Sequence, residues 1–187
     1  GPDFVSRVSN VAPDGSVLAP DTTRLKDLRA NMLWHTDSTF LPVPSLANII
    51  TARVVPTEGG ATELVSTRAG LARLPKDLRA VLDGHLRHRL THSRSKIDPE
   101  LAKADHITKW KEETWRGIWT NPVNGQDAAY IASHACGIVG MEDADAQDKI
   151  EDIIRALTPP EAIYAHHWQV GDVLIWDERA TLHRGMP

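Results

Sequence analysis

The chain has 187 residues, 41% of them hydrophobic and 25% charged, with a net charge of −4. These values are ordinary for one globular domain with a real core, expected here over residues 1–187. No apolar run approaches a bilayer-spanning length and no long basic run is present, so neither a membrane nor nucleic acid is an expected partner. Phe4 to Val11 reads as a short strand ending in a turn at Pro13-Asp14-Gly15. Thr22 to Ala30 is polar and selects no element. Leu46 to Val55 is a continuous apolar, β-rich run, which predicts a buried strand. Pro56 to Gly60 is a loop, and Thr62 to Ser66 another strand. Thr67 is placed as a helix N-cap, with Leu71 and Leu74 on one face. Pro75 starts a second short helix through Leu78, Val81 and Leu82 that stops at Gly84.

Leu86, His88, Leu90 and His92 recur with period two, as in a half-buried strand. Asp98 to Trp115 is polar with scattered aromatics and some helix. Ile118 to Pro122 and Ala128 to Ile131 flank Asn124-Gly125, a hairpin signal. Ile150, Ile153, Ile154 and Leu157 have helical spacing, ended by Pro159-Pro160. Ile163 to Trp168 and Val173 to Trp176 are strands joined by a tight turn at Gly171-Asp172. The fold class is therefore mainly β with helical decoration. A double-sheet jelly roll suits the pattern, although α+β sandwiches read similarly. The single cysteine, Cys136, excludes an internal disulfide and fits a reducing, cytoplasmic setting. Arg87, Arg89, Arg94 and Lys96 form a basic patch that either attracts an anionic substrate or is a solvated face.

The chemistry centres on Trp34-His35-Thr36-Asp37 and on Leu182-His183-Arg184-Gly185. Two histidines and one carboxylate on one face of a metal leave the opposite positions open for a co-substrate and O2. In extended backbone, residues two apart point to the same side, so His35 and Asp37 can share one ion. His183 must then come from a distant strand brought alongside. Zinc competes for the same donor set.

Three longer segments carry a family resemblance: Asn31-Met32-Leu33-Trp34-His35-Thr36-Asp37-Ser38-Thr39-Phe40, Val55-Pro56-Thr57-Glu58-Gly59-Gly60-Ala61-Thr62-Glu63, and Gly171 through Arg184. In content, order and rough separation they resemble the taurine/2,4-D dioxygenases, which use Fe(II) and 2-oxoglutarate. Ala132-Ser133-His134-Ala135 and Ile138-Val139-Gly140-Met141 resemble the aryloxyalkanoate branch more than the taurine branch.

The resemblance implies a double-stranded β-helix (jelly-roll, cupin-like) core, incomplete at both ends. It implies His35, Asp37 and His183 as iron ligands and catalytic residues, with Thr62 bonding 2-oxoglutarate. It places Asn31 and His134 near a small anionic substrate, although Asn31 can equally be a capping residue and His134 a buried structural one. Trp34 and Trp176 pack around the site, and Asp177 makes a structural hydrogen bond. Gly59 and Gly60 serve a tight turn. The expected reaction hydroxylates an aryloxyalkanoate such as 2,4-D or dichlorprop, cleaving its ether to a phenol and an oxoacid, with succinate and CO2 as co-products. A taurine or alkylsulfonate dioxygenase and a non-catalytic cupin-like metal-binding domain are the alternatives; a zinc hydrolase lacks a paired general base.

Relatives are often homo-oligomers. The family also places an arginine for the far carboxylate of 2-oxoglutarate one strand beyond His183, and a second arginine for the substrate's anionic group farther on. Both would lie past Pro187, so the sequence is expected to be part of a longer polypeptide. Arg184 is not assigned either task.

Overall fold

The computed structural model describes residues 6–187. In chain order its elements are α1 (Thr23–Ala30), β1 (Ala47–Thr51), β2 (Thr62–Ser66), α2 (Thr67–Arg73), α3 (Lys76–Leu82), β3 (His85–His88) and α4 (Leu90–Ser95). Then follow α5 (Asp105–Thr108), β4 (Glu113–Arg116), β5 (Ile118–Thr120), β6 (Asp127–Ala129), β7 (Ala135–Ile138), α6 (Asp143–Leu157), β8 (Tyr164–His166), β9 (Val173–Asp177) and β10 (Thr181–Gly185).

Two antiparallel sheets matter most for the site. One has the order β10-β2-β8, the other pairs β1 with β9. Strand alternation assigns the faces. In the first sheet, His183 lies opposite Leu64, and Gly185 opposite Thr62. These form one face, while Leu182 opposite Val65 and Arg184 opposite Glu63 form the other. In the second sheet Asn48 pairs with Trp176 and Ile50 with Leu174. Asn48 and Trp176 reach Asp37 and the His183 ring, so the two sheets face each other across that space.

The hydrophobic core lies on the other side of β10. Its helix α6 buries Ala146, Ile150, Ile153 and Leu157, a stripe at helical spacing. These pack with Leu71, Leu78 and Leu82 from α2 and α3, with Leu86 and Ile138 from β3 and β7, and with Leu182. Leu182 is fully buried while its neighbour His183 is 6% exposed. The strand that carries His183 is thus clamped on both faces.

Several expectations are met: β2, the β5–β6 hairpin around Gly125, α3 after Pro75, and α6 ended before Pro159. Others are corrected. Of the expected Phe4–Val11 strand, Phe4 and Val5 lie outside the described residues; the rest is irregular apart from one bridge, Val11 to Val17, closing the Gly15 turn. The polar stretch before Asn31 is helix α1, capped by Thr22, whose hydroxyl accepts from Leu25 N. The apolar run at Leu46–Val55 is not a buried strand. Leu46, Ile49 and Val54 are 65%, 64% and 88% exposed, because nothing among the described residues covers the outer face of β1. Ser66, not Thr67, caps α2; Thr67 is buried and spends its N–H on Ala180 O. The period-two pattern of Leu86 to His92 holds only through His88, and α4 begins at Leu90. The strands on either side of Gly171, β8 and β9, do not pair with each other. The turn carries the chain from one facing sheet to the other.

Buried among core groups on β3, His88 has both ring nitrogens without a partner among the described residues, and burial pushes its pKa down to about 3. The unfolded chain takes up this proton near pH 6.5, whereas the folded chain refuses it until about pH 3. Stability is therefore lost as pH falls through that window. Urea unfolding between pH 7 and 4 should show His88→Leu losing less stability than the parent, by about 1.4 kcal/mol per pH unit at most.

Candidate metal centre

The segment after α1 runs beside β10 and is fixed by a reciprocal backbone pair. His35 N donates to His183 O at 3.0 Å, and His183 N donates to His35 O at 2.8 Å. The intervening Thr36 turns the other way and donates its hydroxyl to Thr181 O at 3.0 Å. This alternation puts His35 and Asp37 on one side, next to His183. One ligand atom from each of the three lies within 4.8 Å of the others. His35 Nε2 is 3.4 Å from Asp37 Oδ1, and His183 Nε2 is 3.8 Å from Asp37 Oδ2. Immediately after Asp37, Ser38 adopts φ +65°, the only non-glycine residue with positive φ among those described. It turns the chain away at a cost of about 1–3 kcal/mol.

The surroundings suit a cation. His35 Nδ1 lies 2.7 Å from Leu33 O. A proton on Nδ1 satisfies that contact and leaves the Nε2 lone pair to a metal. Burial, with help from His35, lowers the His183 pKa to about 3, so its imidazole is neutral at physiological pH. Burial alone would raise the pKa of Asp37, but the His35 and His183 imidazoles outweigh it and hold the carboxyl well below the usual range. Asn48 Nδ2 donates to Asp37 Oδ2 at 2.6 Å. Two imidazoles and an ionised carboxylate on one side of a small space are a facial donor set for a divalent metal.

Glu178 supports this set and was not singled out by its sequence position. It is fully buried, and its Oε2 accepts from Asp37 N at 2.8 Å and sits 4.0 Å from His183 Nδ1. Burial, with the Asp37 charge adding, pushes its carboxyl up to about 7. Its Oε1 and His183 Nδ1 have no hydrogen-bond partner among the described residues. Asn48 and Trp176 were equally hidden, since both come from the other sheet. The Trp176 ring stands 4.8 Å from that of His183.

The other predicted residues each have their own partners. Thr62 shares the His183 face of its sheet, and its Oγ1 accepts from Trp168 Nε1 at 3.0 Å. Asn31 is the C-cap of α1, and its carbonyl accepts from Gly185 N. His134 is buried, with its ring centroid 6.2 Å from that of His35 and 5.0 Å from that of Phe40. Its Nδ1 is 2.7 Å from Ser93 Oγ, whose own proton goes to Leu90 O. His134 Nδ1 therefore donates, and burial keeps the ring neutral. Arg184 points off the other face, bound to Glu63 at 2.7 Å and lying over Trp34. Asp177 Oδ1 accepts from Arg179 N, a structural bond. Gly59 and Gly60, both at φ +70°, form the tight turn, and a Cβ on Gly59 would collide with Pro187 O. The basic patch is a solvated face: Arg87 and Arg89 pair with Glu112, Arg94 with Asp27, Lys96 with Glu151.

Comparison with known proteins agrees with this geometry. The family described as "Taurine catabolism dioxygenase TauD, TfdA family" matches residues 5–187. A (S)-phenoxypropionate/alpha-ketoglutarate-dioxygenase of Sphingobium herbicidovorans is 34% identical over 98% of this chain and 67% of its own length. An alpha-ketoglutarate-dependent 2,4-dichlorophenoxyacetate dioxygenase of a Burkholderia species is 33% identical over 95% of this chain and 60% of its own. A crystal structure of AAD-2 in complex with Mn(II) and N-oxalylglycine superposes with a TM-score of 0.88 at 32% identity, covering 95% of this chain and 65% of that one. The chain spans about two thirds of the length of these relatives.

Titration with Mn(II) should show binding that His35→Ala, Asp37→Ala or His183→Ala abolishes. Glu178→Ala and Asn48→Ala should each weaken it about 10–100-fold through loss of the groups that orient the ligands. Glu178→Gln, which still accepts from Asp37 N, should stay much closer to the parent.

Proposed function

Because the chain belongs to the TauD/TfdA family of dioxygenases, we propose that it acts as an Fe(II)- and 2-oxoglutarate-dependent dioxygenase on a small anionic aryloxyalkanoate. Residues 1–187 would form a single catalytic domain, the two facing sheets being parts of a double-stranded β-helix, in a cytoplasmic protein. The observation that carries this reading is the convergence of His35, Asp37 and His183 from distant parts of the chain. The substrate class rests on the phenoxypropionate and 2,4-dichlorophenoxyacetate named in its relatives, which weigh against taurine or another alkylsulfonate.

His35, Asp37 and His183 would hold the iron from one side. Once bound, the iron with O2 would supply an oxidation coupled to conversion of 2-oxoglutarate to succinate and CO2. Asn48 and Glu178 keep the Asp37 carboxylate in place through its Oδ2 and its backbone N–H. Thr62 receives the Trp168 N–H on its oxygen, which leaves its O–H to donate to a carboxylate of 2-oxoglutarate. Asn31 and His134 would stand at the substrate's end. The neutral His134 ring, with Phe40 against it, offers packing surface and an acceptor rather than a positive charge. Hydroxylation beside the ether oxygen would give a hemiacetal that collapses to a phenol and an oxoacid.

Anaerobic loading with Fe(II), followed by O2, ascorbate and 2-oxoglutarate, should give succinate at a rate stimulated by 2,4-dichlorophenoxyacetate or dichlorprop, with phenol released in equal amount. Asp37→Ala should abolish both products. Stimulation by taurine in place of the aryl acids would overturn the substrate assignment.

A further inference from the structure

A cavity of about 490 Å³ lies outside the metal centre and contains none of its three ligands. Its wall joins α3, β4, β5 and the turn before β10, and includes Arg79, Arg116, Arg179, Trp115, Trp119 and Tyr130. We infer that this cavity is a second binding site, for a flat aromatic monocarboxylate held between the arginines and the aromatic rings.

Charge comes first. Arg79, Arg116 and Arg179 have no carboxylate within salt-bridge distance among the described residues, although Arg79 Nη1 reaches Leu71 O at 3.5 Å; Arg87, Arg89 and Arg94, by contrast, are each paired with a carboxylate. The wall also holds Asp83 and Asp127. Asp127 is engaged by the Thr120 hydroxyl at 2.6 Å. Three arginines against two aspartates leave a net charge of +1, which one carboxylate neutralises. A planar guanidinium presents paired N–H donors that match a carboxylate.

Shape and polarity follow. The Arg179 guanidinium stands 5.2 Å from the centre of the Trp119 ring, and Trp115 meets Tyr130 edge to face at 6.5 Å. These groups pack on one another and leave outer faces and edges of aromatic rings toward the cavity, which a flat ring can meet. The volume falls within the range of small-molecule sites. Tyr130 is only 4% exposed, yet among the described residues its hydroxyl has no partner, and Arg179 Nε is also buried and unpartnered there. Burial raises the Tyr130 pKa to about 12, so the phenol remains a donor. Buried donors left without acceptors are uncommon in folded proteins, and a bound carboxylate would supply acceptors here.

The site stands independently of the dioxygenase reading, because its residues are separate from the metal ligands. Benzoate is the probe, titrated into the full chain without metal at fixed ionic strength and followed by calorimetry and saturation-transfer NMR. Binding should weaken at least tenfold in Arg116→Ala and in Trp119→Leu, and should be unchanged in His35→Ala. Arg116 is exposed, so its replacement leaves the fold intact. Absence of benzoate binding at millimolar concentration would overturn the inference. So would binding that survives Arg116→Ala, or binding lost in His35→Ala.

Discussion

The pair of backbone hydrogen bonds exchanged between His35 and His183 is the constraint on which the site depends. It fixes the register of an otherwise irregular segment against β10. Given that register, alternation along the chain decides which side chains meet: His35 and Asp37 turn toward His183, and Thr36 turns to bond Thr181, 145 residues away. A slip of one residue would send both ligands to the wrong side. The pair is isolated rather than part of a long ladder, so side chains reinforce it. Glu178 takes the Asp37 N–H and Asn48 takes its carboxylate. Leu182, packed in the helical core, anchors the partner strand from behind.

Much of this was legible in the sequence, and for physical reasons. The two-residue spacing of His35 and Asp37 has meaning only in extended backbone, and the alternation of Leu182, His183 and Arg184 sends the arginine away from the ligand face. The helical spacing of Ile150, Ile153 and Leu157 and the Asn124-Gly125 turn are local signals, and both elements stand where they were expected. What was not legible is the nonlocal support. Asn48 sits in an apolar run and Glu178 in a turn, and nothing in either neighbourhood tells that their side chains converge on Asp37. The Leu46–Val55 run failed as a prediction because hydrophobicity reports a tendency to be covered, not what covers it. Likewise, the strands around Gly171 look like a hairpin by length alone, while their actual partners are chosen by distant strands.

The site also shows how burial sets protonation without strong ion pairs. His183, His134 and His88 are all kept neutral chiefly by desolvation. Within the centre it is Asp37 that is driven toward its charged form, with the two imidazoles beside it and the Asn48 amide donating to its carboxylate. Negative charge is thereby concentrated on one carboxylate, between two nitrogen donors, in a region where a small cation meets few competing charges.

The closing pair has a kinetic side as well. Helices α2, α3 and α6 and the β5–β6 hairpin can form from near neighbours, whereas the His35–His183 contact joins distant parts of the chain. Contacts of large sequence separation carry the greatest loop-closure entropy. The nitrogen donors of the centre are thus joined only when two distant parts of the chain meet. An ion arriving earlier would find His35 and Asp37 as a two-ligand fragment without its third donor. Firm capture of the ion therefore requires that the long loop between His35 and His183 be closed.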